Sequence, residues 1–297
     1  MGRTRSGIWG IGLYLILIVS SADAGGGWVS EPGHGSLQCG FDRKSQLEAK
    51  RRDTEGRLYE ALNHLTHDFR FAYASGQIGL SPRVEAGILL SYLWASERFD
   101  AAAEEANAYY YGWSDVWVGL KYQVRSGAWP VAMEAVARLP YLYKNRDKDP
   151  TGLLNRDFAL KGHMSHAFSR MYFSAMAGFK WREAAPANQI IYTFEVGGHP
   201  LAGKVGRRMS LKFLLDGIDS IGSDSPSTYP RDRFPGLTLE TGGHFFNFNR
   251  ASSLYLQVSC GYTITPSWNA QVGLGYFAWG KSIVVYIDPF AQVGYNF

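Results

Sequence analysis

The last ten residues, Asp288–Phe297, read DPFAQVGYNF and alternate without a break to the final side chain. Read backwards, Phe297, Tyr295, Val293, Ala291, Pro289, Ile287, Val285 and Ile283 are apolar. Between them stand Asn296, Gly294, Gln292, Phe290, Asp288, Tyr286, Val284 and Ser282. A strand turns successive side chains to opposite faces, so one face is greasy throughout and the other is mixed. Roughly fifteen residues is long when globular strands usually run about five or six. Chains also commonly end in frayed polar tails. The terminal residue therefore reads as part of the structure.

The pattern recurs upstream. In VEAGILLSYLW the greasy set is Val84, Ala86, Ile88, Leu90, Tyr92 and Trp94. In DVWVGLKYQVR it is Val116, Val118, Leu120, Tyr122 and Val124, against Asp115, Trp117, Gly119, Lys121, Gln123 and Arg125. In RMYFSAMAGFKW, Met171, Phe173, Ala175, Ala177, Phe179 and Trp181 oppose Tyr172, Ser174, Gly178, Lys180 and Arg182. LYLQVSCGYTI puts Leu254, Leu256, Val258, Cys260, Tyr262 and Ile264 on one side. Greasy faces that begin or end in aromatics match a lipid-facing band with aromatic girdles. A soluble sandwich alternates too, but with shorter strands.

The N-terminus points to export. Arg3 and Arg5 precede GIWGIGLYLILIV, and Ala22 and Ala24 form a small-x-small cleavage site before Gly25. That is the layout of a secretory signal peptide over residues 1–24, leaving 25–297 as one barrel domain. The run is short for a spanning helix, and no later segment holds eighteen consecutive apolar residues. The formal charge of +4 is too mild to point to nucleic acid. Cys39 and Cys260, the only cysteines, are expected to stay unpaired. The seven His show no metal-ligand spacing, and no dinucleotide or phosphate loop is present. No cofactor is expected. Gly25–Gly27 reads as flexible chain behind the cleavage site.

Alternation places strands near 34–47, 66–79, 82–96, 109–125, 128–142, 156–166, 169–182, 188–199, 207–219, 251–264, 267–280 and 284–297. The fold class is thus all-β: a closed antiparallel transmembrane β-barrel of about twelve strands. Bacterial single-chain barrels have even strand numbers. The run 237–248 is therefore assigned to an external loop. Fourteen strands would need one within 48–65, where Leu58, Leu62 and Leu65 are instead spaced helically. Tight links (LSPR, SG, TPSW) contrast with long polar ones (ERFDAAAEEANA, KNRDKDPTGLLNR, GSDSPSTYPRDRF), as in outer-membrane barrels.

The stretches IGLSPRVEAGI, SDVWVGLKYQV, ARLPYLY, MAGFKWR and VGYNF, in that order over roughly residues 70–297, resemble an outer-membrane family. It is named for the MetA pathway of phenol degradation and is described as similar to fatty-acid-transporter-like proteins. The most specific part is Asp115–Tyr122 followed by Leu139–Pro140; Ser114 stands where the family usually has Gly. The resemblance implies a barrel in the outer membrane of a Gram-negative bacterium that passes small hydrophobic or aromatic compounds. It also implies a C-terminal signal (Val293, Tyr295, Phe297) read by the barrel-insertion machinery. It supplies no catalytic or binding residues.

The faces opposite the greasy ones would line the lumen. They carry Asp115, Trp117, Lys121, Arg125, Glu134, Arg138, Tyr172, Lys180, Glu195, Arg208, Lys212 and Asp216, with Asp68, Arg70 and Glu85 beside them. Mixed charge in a narrow barrel either interlocks as ion pairs, since buried charges need partners, or forms a selective polar path in which Trp117 and Tyr172 offer aromatic faces. The first reading makes a plugged structural or receptor barrel, the second a passive transporter or channel. A third reading is a membrane-embedded lipid hydrolase: GHMSHAF places His163 and Ser165 on one strand face, and a His can activate a neighbouring hydroxyl.

Overall fold

The computed structural model describes residues 26–52, 57–60, 66–101, 104–114, 116–139, 156–182, 188–201, 206, 208–221, 252–281 and 283–297. The signal-peptide segment, the 237–248 run, the GSDSPSTYPRDRF stretch, nearly all of KNRDKDPTGLLNR and Asp115 lie outside them.

The strands are β1 (Gly35–Arg52), β2 (Leu58–Glu60), β3 (Thr66–Ser81), β4 (Val84–Ala101), β5 (Glu104–Trp113), β6 (Val116–Arg125), β7 (Val131–Leu139), β8 (Asp157–Ala167), β9 (Met171–Arg182), β10 (Asn188–Gly198), β11 (Met209–Ile221), β12 (Ser252–Thr263), β13 (Trp268–Lys281) and β14 (Ile283–Asn296). All pair antiparallel, and β14 pairs back onto β1. The upper half of β4 pairs with β5 and its lower half with β6. These two strands are one wall position interrupted at Ser114, whose N–H donates to Ser91 O at 2.8 Å. With β2 set aside, the closed barrel has twelve positions.

The β1–β14 seam runs as far as Phe297. The Phe297 N–H donates to Gly35 O at 3.1 Å, and its carbonyl accepts from Gly35 N at 3.1 Å. In lipid every backbone polar group must be satisfied within the protein, and these two bonds continue the β1–β14 pairing to Phe297.

Two upper segments differ from expectation. Leu58–Glu60 is a strand paired with Lys50–Arg52, not a helical turn. Strand β1 outruns β3, and its unpaired backbone edge takes β2 as a partner. The ERFDAAAEEANA stretch is not a long loop but the top of a hairpin, with Arg98↔Asn107 and Asp100↔Glu105 in register.

The greasy faces point outward. Leu37, Ile88, Leu120, Val258, Val272 and Leu274 are exposed on the wall. Aromatics rim this band. Trp268, Tyr262 and Phe297 mark the end where residues 26–34 and the short turns gather, and Trp94, Trp113, Trp181 and Trp279 mark the other. Along β4 the band runs eleven residues, from Val84 to Trp94. Tilted strand of that length rises about 25 Å, the height of an outer-membrane apolar band. Short turns are periplasmic in such barrels, which orients the chain.

The high Gly and aromatic content has a common cause. Tyr73 lies over Gly40, Tyr172 over Gly197, Tyr255 over Gly275 and Phe290 over Gly273, where a Cβ would collide with the ring. Each missing side chain lets an inward aromatic lie flat along the wall and cover exposed backbone.

Cys39 and Cys260 are both free, and Cys260 shares the outward face with Val258, with inward, buried Ser259 between them. A membrane-impermeant maleimide is expected to leave Cys260 unlabelled in liposomes, while a lipid-soluble one labels it. Labelling by the impermeant reagent would place this face in water.

Candidate functional site

Alternation forces the polar faces into the lumen, where two networks form. The first begins at the periplasmic mouth, across which residues 26–34 fold. Gly27 N–H donates to Ser165 Oγ at 2.8 Å, and Gln123 Nε2 donates to Gly27 O at 3.0 Å. The Ser30 N–H and hydroxyl both donate to Glu85 Oε2, at 2.8 and 2.7 Å. Lys121 Nζ bridges Glu85 Oε1 at 3.0 Å and Trp28 O at 3.3 Å. The Trp28 ring meets Tyr172 edge-on at 6.5 Å. Gly26 and Gly27 are buried here, not flexible as their composition implies. Gly26 has φ 50°, and a Cβ on Gly27 would lie 2.1 Å from Pro130 O.

Farther in, Glu134 Oε2 accepts from Lys161 Nζ at 3.1 Å and from His163 Nε2 at 3.0 Å. Arg138 Nη2 lies 2.9 Å from Asp157 Oδ1, with Lys180 Nζ and Arg182 Nε each 3.9 Å from Asp157 Oδ2. The Arg138 guanidinium lies over the Trp117 ring at 5.6 Å. A cavity of ≈ 40 Å³ opens among Gln38, Gln77, Glu85, Trp117, Lys121 and Glu134, enough for a few waters.

The second network lines the facing wall. Lys44, 1% exposed, lies 3.5 Å from Asp42 and 3.4 Å from Asp288. Tyr255 donates to Asp288 at 2.6 Å. Tyr73 donates to Gln292 at 2.7 Å, and Gln292 donates to Gln271 at 2.7 Å. Tyr172 donates to Glu195 at 2.5 Å, Lys212 Nζ lies 3.4 Å from Glu195, and Thr193 donates to Asp216.

Among the described residues, cations therefore dominate one wall: Lys121, Arg138, Lys161, Lys180 and Arg182 on β6–β9. Carboxylates dominate the other: Asp42, Glu195, Asp216 and Asp288. The resulting field crosses the barrel axis, and low-dielectric walls focus it.

Of the residues expected in the lumen, Trp117, Lys121, Glu134, Arg138, Tyr172, Lys180, Glu195, Lys212 and Asp216 meet in these networks. Arg125 and Arg208 are exposed at the periplasmic ends of β6 and β11, so they belong to the rim. Asp68 and Arg70 face outward, because Phe69 and Phe71 take the inward positions on β3. His163 and Ser165 share the inward face, but their hydrogen bonds run apart, to Glu134 and to Gly27 and Ser174. Asp42, Lys44, Asp157 and Lys161 escaped the sequence reading, which set Asp288 on the mixed face of the last strand. Their even spacing, two residues in FDRK and four in DFALK, puts each pair on one strand face and was the available signal. In FDRK the outward Arg43 obscures it, since both faces then carry charge.

A closed antiparallel barrel with a lipid-height apolar belt and a charged, tethered lumen is an outer-membrane β-barrel. Its fold is similar to the COG4313 outer membrane channel from Pseudomonas putida F1, with a TM-score of 0.61 at 12% identity over 91% of this chain and 97% of that one. Weaker likenesses reach the KdgM porin in complex with disordered oligogalacturonate (TM-score 0.49, 7% identity, 88% and 99% covered) and the β domain of the Bordetella autotransporter BrkA (0.48, 12%, 89% and 100%). At these identities the likeness is one of fold. No family profile matches the chain, and no curated protein matches its sequence.

Proposed function

We propose that this barrel is a passive outer-membrane channel for small hydrophobic or aromatic compounds, closed at its periplasmic mouth by residues 26–34. The carrying observation is how that mouth is closed. The segment is held by a handful of hydrogen bonds to Glu85, Lys121, Gln123 and Ser165, contacts that can break without unfolding the wall. Behind it lies a cavity lined by both apolar and charged side chains, with the Trp117 ring in its wall. The resemblance to the phenol-degradation family supports the same solute class. Residues 1–24 are read as the export signal. Val293 and Phe297, exposed on the outer face with Tyr295 beside them, are read as the insertion signal.

A second reading, a plugged structural or receptor barrel, draws on the interlocked pairs at Glu134, Asp157 and Asp288. Flux separates the two. Liposomes carrying the protein are expected to admit phenol and small aromatic acids faster than protein-free liposomes. Uptake equal to the lipid blank for every solute tried overturns the channel and leaves the plug.

A further inference from the structure

Strands β1 and β3 carry an outward charge cluster that the lumen does not use. Arg43 Nε and Nη2 donate to Asp68 at 3.0 and 3.3 Å. Arg70 Nε and Nη2 donate to the same carboxylate at 3.2 and 2.9 Å. The neighbours in sequence, Asp42, Lys44, Phe69 and Phe71, are buried inward, which turns the trio to the outside. Half of each guanidinium side chain is exposed, 50% for Arg43 and 52% for Arg70.

Height gives the cluster its meaning. Arg43 pairs in register with Arg70, Arg70 with Trp94, and Trp94 with Tyr111. Trp94 belongs to the upper aromatic girdle, and Tyr111 is 71% exposed beside it. Below Arg43 the outward side chains on β1 are Phe41, Cys39 and Leu37, all exposed. The two guanidinium groups thus stand at the extracellular edge of the apolar band, at headgroup level. Outward charge is costly at the bilayer midplane and nearly free at its edge.

From this placement we infer that Arg43, Asp68 and Arg70 form a docking site for the phosphate monoester of an outer-leaflet glycolipid of the lipid A type. Asp68 takes the Nε and Nη2 edge of each fork, and both side chains remain half exposed. Guanidinium forks match phosphate oxygens in geometry. A monoester carries close to two negative charges and three acceptor oxygens. That suits two guanidinium groups better than the single charge of a phosphodiester lipid. The flanking Trp94 and Tyr111 supply amphipathic rings against the acyl–headgroup boundary. The inference rests on the outer-membrane placement, not on transport.

Native mass spectrometry of the full chain, released from micelles doped with lipid A, tests it. The wild type is expected to retain lipid A, and to retain neither dephosphorylated lipid A nor phosphatidylglycerol to the same extent. The double variant R43Q/R70Q, checked for its folded mobility on unheated gels, is expected to retain about tenfold less. Each single variant should fall between, and D68N, which frees both forks, should retain at least as much as the wild type. Conductance should not change in any of them. Equal retention by R43Q/R70Q, or equal retention of the dephosphorylated lipid or of phosphatidylglycerol by the wild type, overturns the site and leaves the channel reading untouched.

Discussion

Deleting residues 26–32 is expected to raise single-channel conductance several-fold in planar bilayers. The segment lies across the periplasmic mouth, with Trp28 against Tyr172 and its backbone tied to Ser165, Gln123, Lys121 and Glu85. None of those ties belongs to the wall's own ladder, so the barrel should fold without it. The substitution G27A makes the same test with one added carbon, because that Cβ would meet Pro130 O at 2.1 Å. Pro130 directly precedes β7 and its carbonyl is held by the Ser165 N–H at 3.1 Å, so the segment must leave its seat. A pore widened this way conducts more because its narrowest section sets the barrier. E85Q should give a smaller increase: it keeps an oxygen for Ser30 but removes the charge that anchors Lys121 at 3.0 Å. Unchanged conductance in the deletion variant would move the constriction deeper, to the Glu134 and Asp157 clusters, and favour the plugged barrel.

The wall was legible in the sequence because bilayer physics writes it in a period of two. Val84–Trp94 and Val116–Val124 keep one face apolar throughout, since lipid rejects polar groups there, while the other face mixes charge with Leu89, Leu93 and Trp117. Legibility ended where a strand rises above the bilayer. At Arg43, Asp68 and Arg70 the outward residues become charged, so parity alone cannot separate lumen from headgroup level. This placed Asp68 and Arg70 inside on sequence grounds. Above the belt the hydrophobic signal disappears altogether, and the β4–β5 hairpin then looks like a polar loop. The mouth was hidden for another reason. A glycine pair reads as slack chain unless one knows that Ser165 and Pro130 approach too closely for any side chain. Which inward charges pair depends on register and tilt across β7, β8 and β9, quantities that a single strand's sequence does not carry.

Removing the Glu134 carboxylate should be the most damaging single change in the wall. Glu134 Oε2 serves both Lys161 and His163 at 3.0–3.1 Å, and all three side chains are at most 7% exposed. Burial makes the pairs expensive to form from water but far more expensive to break, because truncating one partner leaves charge that the interior cannot solvate. E134A should therefore cost about 3–5 kcal/mol in urea unfolding of the liposome-inserted barrel. It should also lower the temperature at which the folded gel band disappears. E134Q keeps the shape and one acceptor oxygen, so it should cost less. The double variant E134A/K161M removes both formal charges and should recover most of the loss, since apolar replacement of a buried pair is often neutral. Added salt should change none of these differences, because pairs this deep are poorly screened. A loss below about 1 kcal/mol for E134A, the range of surface pairs, would mean that water already fills the lumen at Glu134. The cluster would then line an open path rather than cross-link β7 to β8.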